Sequence, residues 1–292
     1  MFSIIGIVVV IGSILGGFLL EKGNIKVLIQ PTEVLIIGGA AIGTLLIANP
    51  LHILKGMVAG LLAILKGSPY TKKLYLETLL LLNDLFTMGR KEGAAKLEKE
   101  IEDPAQGQVF SKYPAFLKSH FATDYICDTI RMSLAGGVTP FDLEQLMEMD
   151  AEVHHHSEAK PVAALTTVAD ALPGLGIVAA VLGVVITMGA LGGPPEEIGK
   201  KVAAALVGTF LGILLCYGFI GPLASNISKI NEEADEYHKV LRAGMGYYLK
   251  GIAPILAIES SRRMIPPHLR PSSKELEESI KAAKAGGAPA NG

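Results

Sequence analysis

The chain has 292 residues, half of them hydrophobic and only 18% charged, with no Trp and a mean hydropathy of +0.44. That balance is too apolar for an ordinary soluble domain and describes a membrane protein with a sizeable polar portion. A net charge of -2 leaves no electrostatic footprint for nucleic acid. The two cysteines, Cys127 in a polar stretch and Cys216 in an apolar one, give no disulfide framework.

Residues 1–20, MFSIIGIVVVIGSILGGFLL, carry no charge and form the first predicted span. They lack the basic start and small-residue cleavage site of a secretory signal, so they read as a membrane helix. A second, shorter span covers about 34–49. The insert 51–167 is polar and reads helical, with apolar residues at three- and four-residue spacing and a stop at Pro104. Thr139 is placed as an N-cap with Pro140 at the first helical position, and the pattern runs past Pro161 toward the third span as one rod. That span, about 168–190, contains DALPGLGIVAAVLGVVITMG and opens with Asp170 and Pro173. The fourth covers about 202–223 and ends at Pro222 and Leu223. The tail 224–292 reads helical, and its last stretch, KELEESIKAAKAGGAPANG, is expected to fray or be disordered. No segment reads as a strand. The expected fold class is therefore an all-α membrane protein, two transmembrane hairpins with a helical cytoplasmic domain.

Orientation follows from the basic residues. Of 26 Lys and Arg, only Lys22, Lys26, Lys200 and Lys201 lie in the two short loops. The positive-inside rule puts those loops outside, and the insert and both termini in the cytoplasm.

The spans are informative in what they omit. Apart from Asp170 at one rim, the segments as bounded above contain no Asp, Glu, Lys, Arg or His. Ionisable groups in a membrane usually mark ion or proton paths. Either the chain conducts nothing, or another subunit supplies the titrating group. Small residues recur at four-residue spacing: Gly12 and Gly16, Gly39 and Gly43, Gly176 and Ala180, and the series Ala204, Gly208, Gly212. Packing within the four-helix unit and contact between subunits both account for such ridges. Thr209 and Ala180 fall about 20 and 17 Å from the cytoplasmic ends of their spans, so at similar depth. A threonine there either bonds back to its own helix or lines an ion path.

The run His154–His156 does not read as a metal site, because consecutive helical positions diverge by about 100°. No catalytic arrangement, phosphate loop or dinucleotide fingerprint stands out, so neither an enzyme nor a cofactor is expected.

Three stretches, ADALPGLGIVAAVLGVVITMG, VGTFLGILLCYGFIGPLA and GRKEGAAKLEKEIEDP, together with the span order, resemble the MotA family of flagellar motor stator subunits, within the wider MotA/TolQ/ExbB proton channels. TolQ and ExbB share the last two spans but lack the first hairpin. The resemblance implies a ring of five such subunits in the bacterial inner membrane around two copies of MotB. MotB would supply a membrane helix with an essential Asp and a peptidoglycan-binding domain, and the ring would push the rotor protein FliG. It further implies conformational coupling through Pro173 and Pro222, an ion path past Asp170, Ala180 and Thr209, and rotor contacts through Arg90 and Glu98. Those two charges are expected on one helix, eight residues and about 80° apart. Sodium-driven relatives tend to carry Thr where Ala180 stands, so the resemblance implies protons. The competing expectations are a TolQ/ExbB-type energiser and a membrane scaffold that conducts nothing.

Overall fold

A computed structural model describes residues 2–189 and 191–284. In chain order the helices are α1 (Phe2–Leu20), α2 (Ile25–Leu28), α3 (Pro31–Ala48), α4 (Leu51–Lys66), α5 (Lys72–Lys91), α6 (Ala94–Glu102), α7 (Pro114–Leu117) and α8 (His120–Ala135). They continue with α9 (Pro140–Met188), α10 (Pro195–Leu214), a π-helical stretch over Leu215–Ile220, α11 (Gly221–Leu249), α12 (Pro254–Met264) and α13 (Ser273–Lys284). No strand occurs among the described residues. Four segments are long and apolar enough to cross a bilayer: Phe2–Leu20, Ile25–Ala48, and stretches within Pro140–Met188 and Pro195–Leu249.

The chain forms two compact units, each made from two separate lengths of sequence. The first comprises 1–67 and 157–230 and holds the four apolar segments. It has two cores. One gathers Ile37, Ala41, Val168, Ala169, Leu172, Ala179 and Cys216. The other packs Met57 and Ile64 of α4 against Ala164, Leu165, Ala224 and Ile227. The insert beginning at Leu51 thus gives its first helix to this unit. A Cβ on Gly60 would lie 3.2 Å from Ile227, so α4 and α11 approach closely there.

The second unit comprises 68–156 and 231–292. Its core is built on α5, whose Tyr75, Leu79, Leu82 and Phe86 are fully buried with Phe110, Phe116, Ile126, Tyr237 and Leu241. Thr71 caps α5 through its side chain, which accepts from Leu74 N–H, and Ser119 caps α8 in the same way at Ala122. Thr78 Oγ1 and Tyr237 Oη, 2.7 Å apart, share a hydrogen bond in the core.

The expected fraying end is corrected over part of its length. Residues 273–284 form α13, with Leu276 and Ile280 buried one turn apart. Ser272 and Glu275 make a reciprocal capping box: Glu275 N–H donates to Ser272 Oγ at 3.1 Å, and Ser272 N–H to Glu275 Oε2 at 3.3 Å. Residues 285–292 lie outside the described residues.

Candidate functional site

The third and fourth spans meet backbone to backbone. A Cβ on Gly176 would lie 2.9 Å from Gly208 O and 3.1 Å from Gly212 Cα; one on Gly183 would lie 2.7 Å from Ala205 Cβ. Gly212 is tighter still, its Cβ position 2.5 Å from Leu172 O. The pairs 183 with 205, 180 with 208 and 176 with 212 run in opposite order, so α9 and α10 are antiparallel in one fixed register. Only glycine and alanine are small enough to permit this approach. By contrast, Gly12, Gly16, Gly39 and Gly43 have nothing within 4 Å of their Cβ positions. The small-residue ridges therefore divide into one set used inside the unit and one left open on its surface.

Pro173 stands one residue after the carbonyl that meets Gly212. It interrupts the hydrogen-bond ladder of α9 without ending the helix, as Pro161 does a dozen residues earlier. Asp170 is exposed on the protomer and Ala180 is half-buried, its backbone N 3.4 Å from the Cβ position of Gly208. Thr209 is half-buried next to that glycine. Thr187 bonds back to Gly183 O at 2.8 Å and Thr44 to Ala41 O at 2.9 Å. Thr209 makes no such bond among the described residues. The register confirms that Ala180 and Thr209 share a depth.

Extending that register puts Pro173 level with Leu215, where the π-helical stretch begins. Pro222 lies seven residues further, about 10 Å along the helix. The two prolines are therefore stepped and not level. The π turn has a local cause. Proline at 222 cannot donate to the preceding turn and crowds its carbonyl, and Gly221 N–H reaches back five residues to Cys216 O. A Cβ on Gly221 would lie 2.9 Å from that same oxygen. Nothing in the periodicity of an apolar run marks a π turn, although the Gly-Pro pair is a signal for local irregularity.

Sequence reasoning missed one residue here. The second span begins at Pro31, not at 34, so Glu33 lies inside the helix and not in the loop. It is buried, and its Oε2 has no hydrogen-bond partner. The statement that the spans hold no ionisable group beyond Asp170 is corrected accordingly.

In the second unit, Arg90 and Glu98 do not share a helix. α5 stops at Lys91, Gly93 turns the chain with a φ of 89°, and α6 starts at Ala94. A glycine at positive φ is what that turn requires. Both charges are exposed, and Arg90 Nη2 donates to Gly251 O at 2.7 Å. Glu98 points outward while Leu97, Glu100 and Ile101 of the same helix face inward.

Of the three consecutive histidines, His154 stacks on Phe121 with ring centroids 3.7 Å apart. His238 meets the same ring edge-on at 4.6 Å. Burial, and then the nearby His154, push the His238 imidazole down to about 4. Beside it opens a cavity of about 290 Å³ lined by Glu148, Glu152, His155, Asp235, Lys239 and Arg242.

Residues 4–93 match the family model described as Motility protein A N-terminal, and residues 116–239 match that of the MotA/TolQ/ExbB proton channel family. Motility protein A of Escherichia coli K12 is 38% identical over 97% of this chain and 96% of its own length. The chain belongs to the motility protein A family. Another similar relative is chemotaxis protein LafT of Vibrio parahaemolyticus, 35% identical over 95% of this chain and 98% of that protein. Among solved structures, that of Campylobacter jejuni MotAB matches with a TM-score of 0.75 at 18% identity, covering 93% of this chain and 98% of that one. The flagellar MotAB stator complex of Bacillus subtilis matches with a TM-score of 0.71 at 24% identity, covering 95% and 98%. At those identities the structures speak for the fold, which is the all-helical, four-span membrane fold of motility protein A.

Proposed function

We propose that this chain is a stator subunit of a bacterial flagellar motor, coupling proton flow through a complex with MotB to rotation of the flagellar rotor. The single observation that carries the reading is the 38% identity to a motility protein A across 97% of the chain. It embraces the first hairpin, which a TolQ/ExbB-type energiser lacks, and both polar stretches.

The finer parts of the reading rest on the geometry above. The exposed apolar faces of α1 and α3 and the open glycines at 12, 16, 39 and 43 support assembly into a ring of like subunits around the partner's membrane helices. The glycine-tight seam of α9 and α10, interrupted at Pro173 and by the π turn before Pro222, supports those prolines as the points where the helices bend. Asp170 at the rim, with Ala180 and Thr209 at one depth, supports an ion path along these helices. A single hydroxyl there favours protons, which a partner carboxylate can carry without a shell of oxygen ligands. Exposed Arg90 and Glu98, carried on separate helices of the polar unit, are the surface for the rotor protein FliG. The chain sits in the inner membrane with 51–167 and 224–292 in the cytoplasm, an orientation that the placing of the basic residues supports. The work is mechanical and needs no cofactor or metal.

The test is complementation. Expressed with its cognate partner in a strain lacking its own motility protein A, the chain restores swimming in soft agar, and Pro173→Ala or Pro222→Ala abolishes it without loss from the membrane. Failure of the unaltered chain to restore swimming, with both subunits present in the membrane, contradicts the reading.

A further inference from the structure

Glu33 is the third residue of α3 and only 5% exposed, with Ile37 and Ala41 following on the same buried face. A carboxylate in a first helical turn ordinarily bonds the free N–H groups there. The Oε2 of Glu33 makes no such bond, and though buried it has no partner. It points across to α10, where a Cβ on Gly208 would lie 2.6 Å from that oxygen. The same Cβ position lies 3.2 Å from Ala179 Cβ and 3.4 Å from Ala180 N. The carboxyl, the α9 backbone and Gly208 therefore converge one residue from Thr209, on the seam already described. Position 208 must be glycine to leave the carboxyl its place.

Among the described residues no counter-charge serves it. On α10, Lys200 pairs with Glu196 at 2.9 Å and Lys201 with Glu197 at 3.4 Å. Lys26 on α2 forms no ion pair with it among the described residues, and Asp170 on α9, itself an acid, cannot. An ionised carboxylate in such a place is far costlier than the neutral acid, and ionisable groups inside membrane helices mark proton paths.

We propose that Glu33 is a proton-binding site that this chain itself contributes to the membrane unit. At rest the side chain is the neutral acid. In each cycle its O–H bond breaks, the proton passes to an acceptor water at the Gly208–Thr209 corner, and the electron pair stays on the carboxylate. A proton from water on the side of the short loop between α1 and α3 restores the acid. This rests on the stator reading above and adds to it a titrating group that does not come from the partner.

The experiment uses the full chain with its partner in the complemented strain. Restoration of swimming by the unaltered chain tests the stator reading separately. Given that, Glu33→Gln keeps the shape but cannot release a proton in this way, and it lowers swimming speed severalfold at unchanged membrane abundance and partner co-purification. In parallel, membranes holding the unaltered complex are treated with dicyclohexylcarbodiimide, which reacts with neutral carboxyl groups in apolar surroundings. Peptide mass spectrometry then finds an adduct on Glu33 in mildly acidic buffer that declines in alkaline buffer. Unaltered swimming speed with Glu33→Gln overturns the proposal whatever the labelling. If that variant does not assemble, the labelling decides: a pH-dependent adduct supports the proposal, and none at any pH overturns it.

Discussion

Glu98 and Glu100 stand two residues apart on α6 and do opposite things. Glu100 is buried, and its carboxylate gathers three backbone donors: Val109 N–H at 2.6 Å, Phe110 N–H at 3.1 Å and Gln108 N–H at 3.0 Å. It pins the segment after α6 to that helix. Hydrogen bonds to a charged group are worth about 1.5–3 kcal/mol each, and orphaned buried donors add to the loss. Glu100→Ala therefore lowers the stability of the polar unit by roughly 3 kcal/mol, read as a fall in melting temperature of the purified protein. Glu98→Lys, on an exposed face, stays within about 0.5 kcal/mol of the parent. Combined with Arg90→Glu, it impairs swimming while membrane insertion and partner binding persist. The string EKEIE does not show which glutamate turns inward, because the donors arrive from residues that fold back later in the chain. The glycines divide in the same way. Gly212→Ala pushes a methyl into the Leu172 carbonyl and the Gly176 backbone, an overpacking cost of about 1–3 kcal/mol. Gly12→Ala meets open space within the protomer. Thermal unfolding in detergent separates the two, with only Gly212→Ala lowering the midpoint.

At the scale of elements, long amphipathic or apolar runs were the legible ones. The rod from Pro140 through Pro161 into the third span is one helix of 49 residues, as its pattern implied. What periodicity cannot reveal is a break set by a single φ, as at Gly93, or a π turn set by a proline one turn on. The capping box of α13 was in plain view as Ser272 and Glu275, but the charged stretch around it obscured the apolar pair Leu276 and Ile280. α11 carries the clearest pH dependence. His238 takes a proton near pH 4 in the folded protein but near 6.5 when unfolded. The unfolded state thus binds more protons between those values. Stability is whole above pH 6.5 and falls as pH drops toward 4, by up to about 3 kcal/mol. Glu259, held at about 2 by its hydrogen bonds to Arg262 and Arg263, adds a second loss below the usual carboxylate range, about 4.3. Melting curves across this range show the slope. His238→Gln flattens the upper part of it and leaves the part owed to Glu259.

For the whole molecule, composition and four apolar runs were enough to place the chain in a membrane, and three short stretches were enough to reach its family. The site was only partly legible. Ala180 and Thr209 could be matched in depth by counting residues along two spans. The step between Pro173 and Pro222 needed the register, and the burial of Glu33 needed the true start of α3. Each of those is set by which helix packs on which, information that lies outside any one segment. The central claim is that this chain turns a flagellar rotor on proton flow, and rotation of tethered cells tests it most directly. The strain carries the chain and its cognate partner, the proton-motive force is collapsed, and an inward sodium gradient is maintained. Rotation stops and returns when the proton gradient is restored, whatever the external sodium. Rotation that persists and rises with sodium after the proton-motive force is gone would contradict the account.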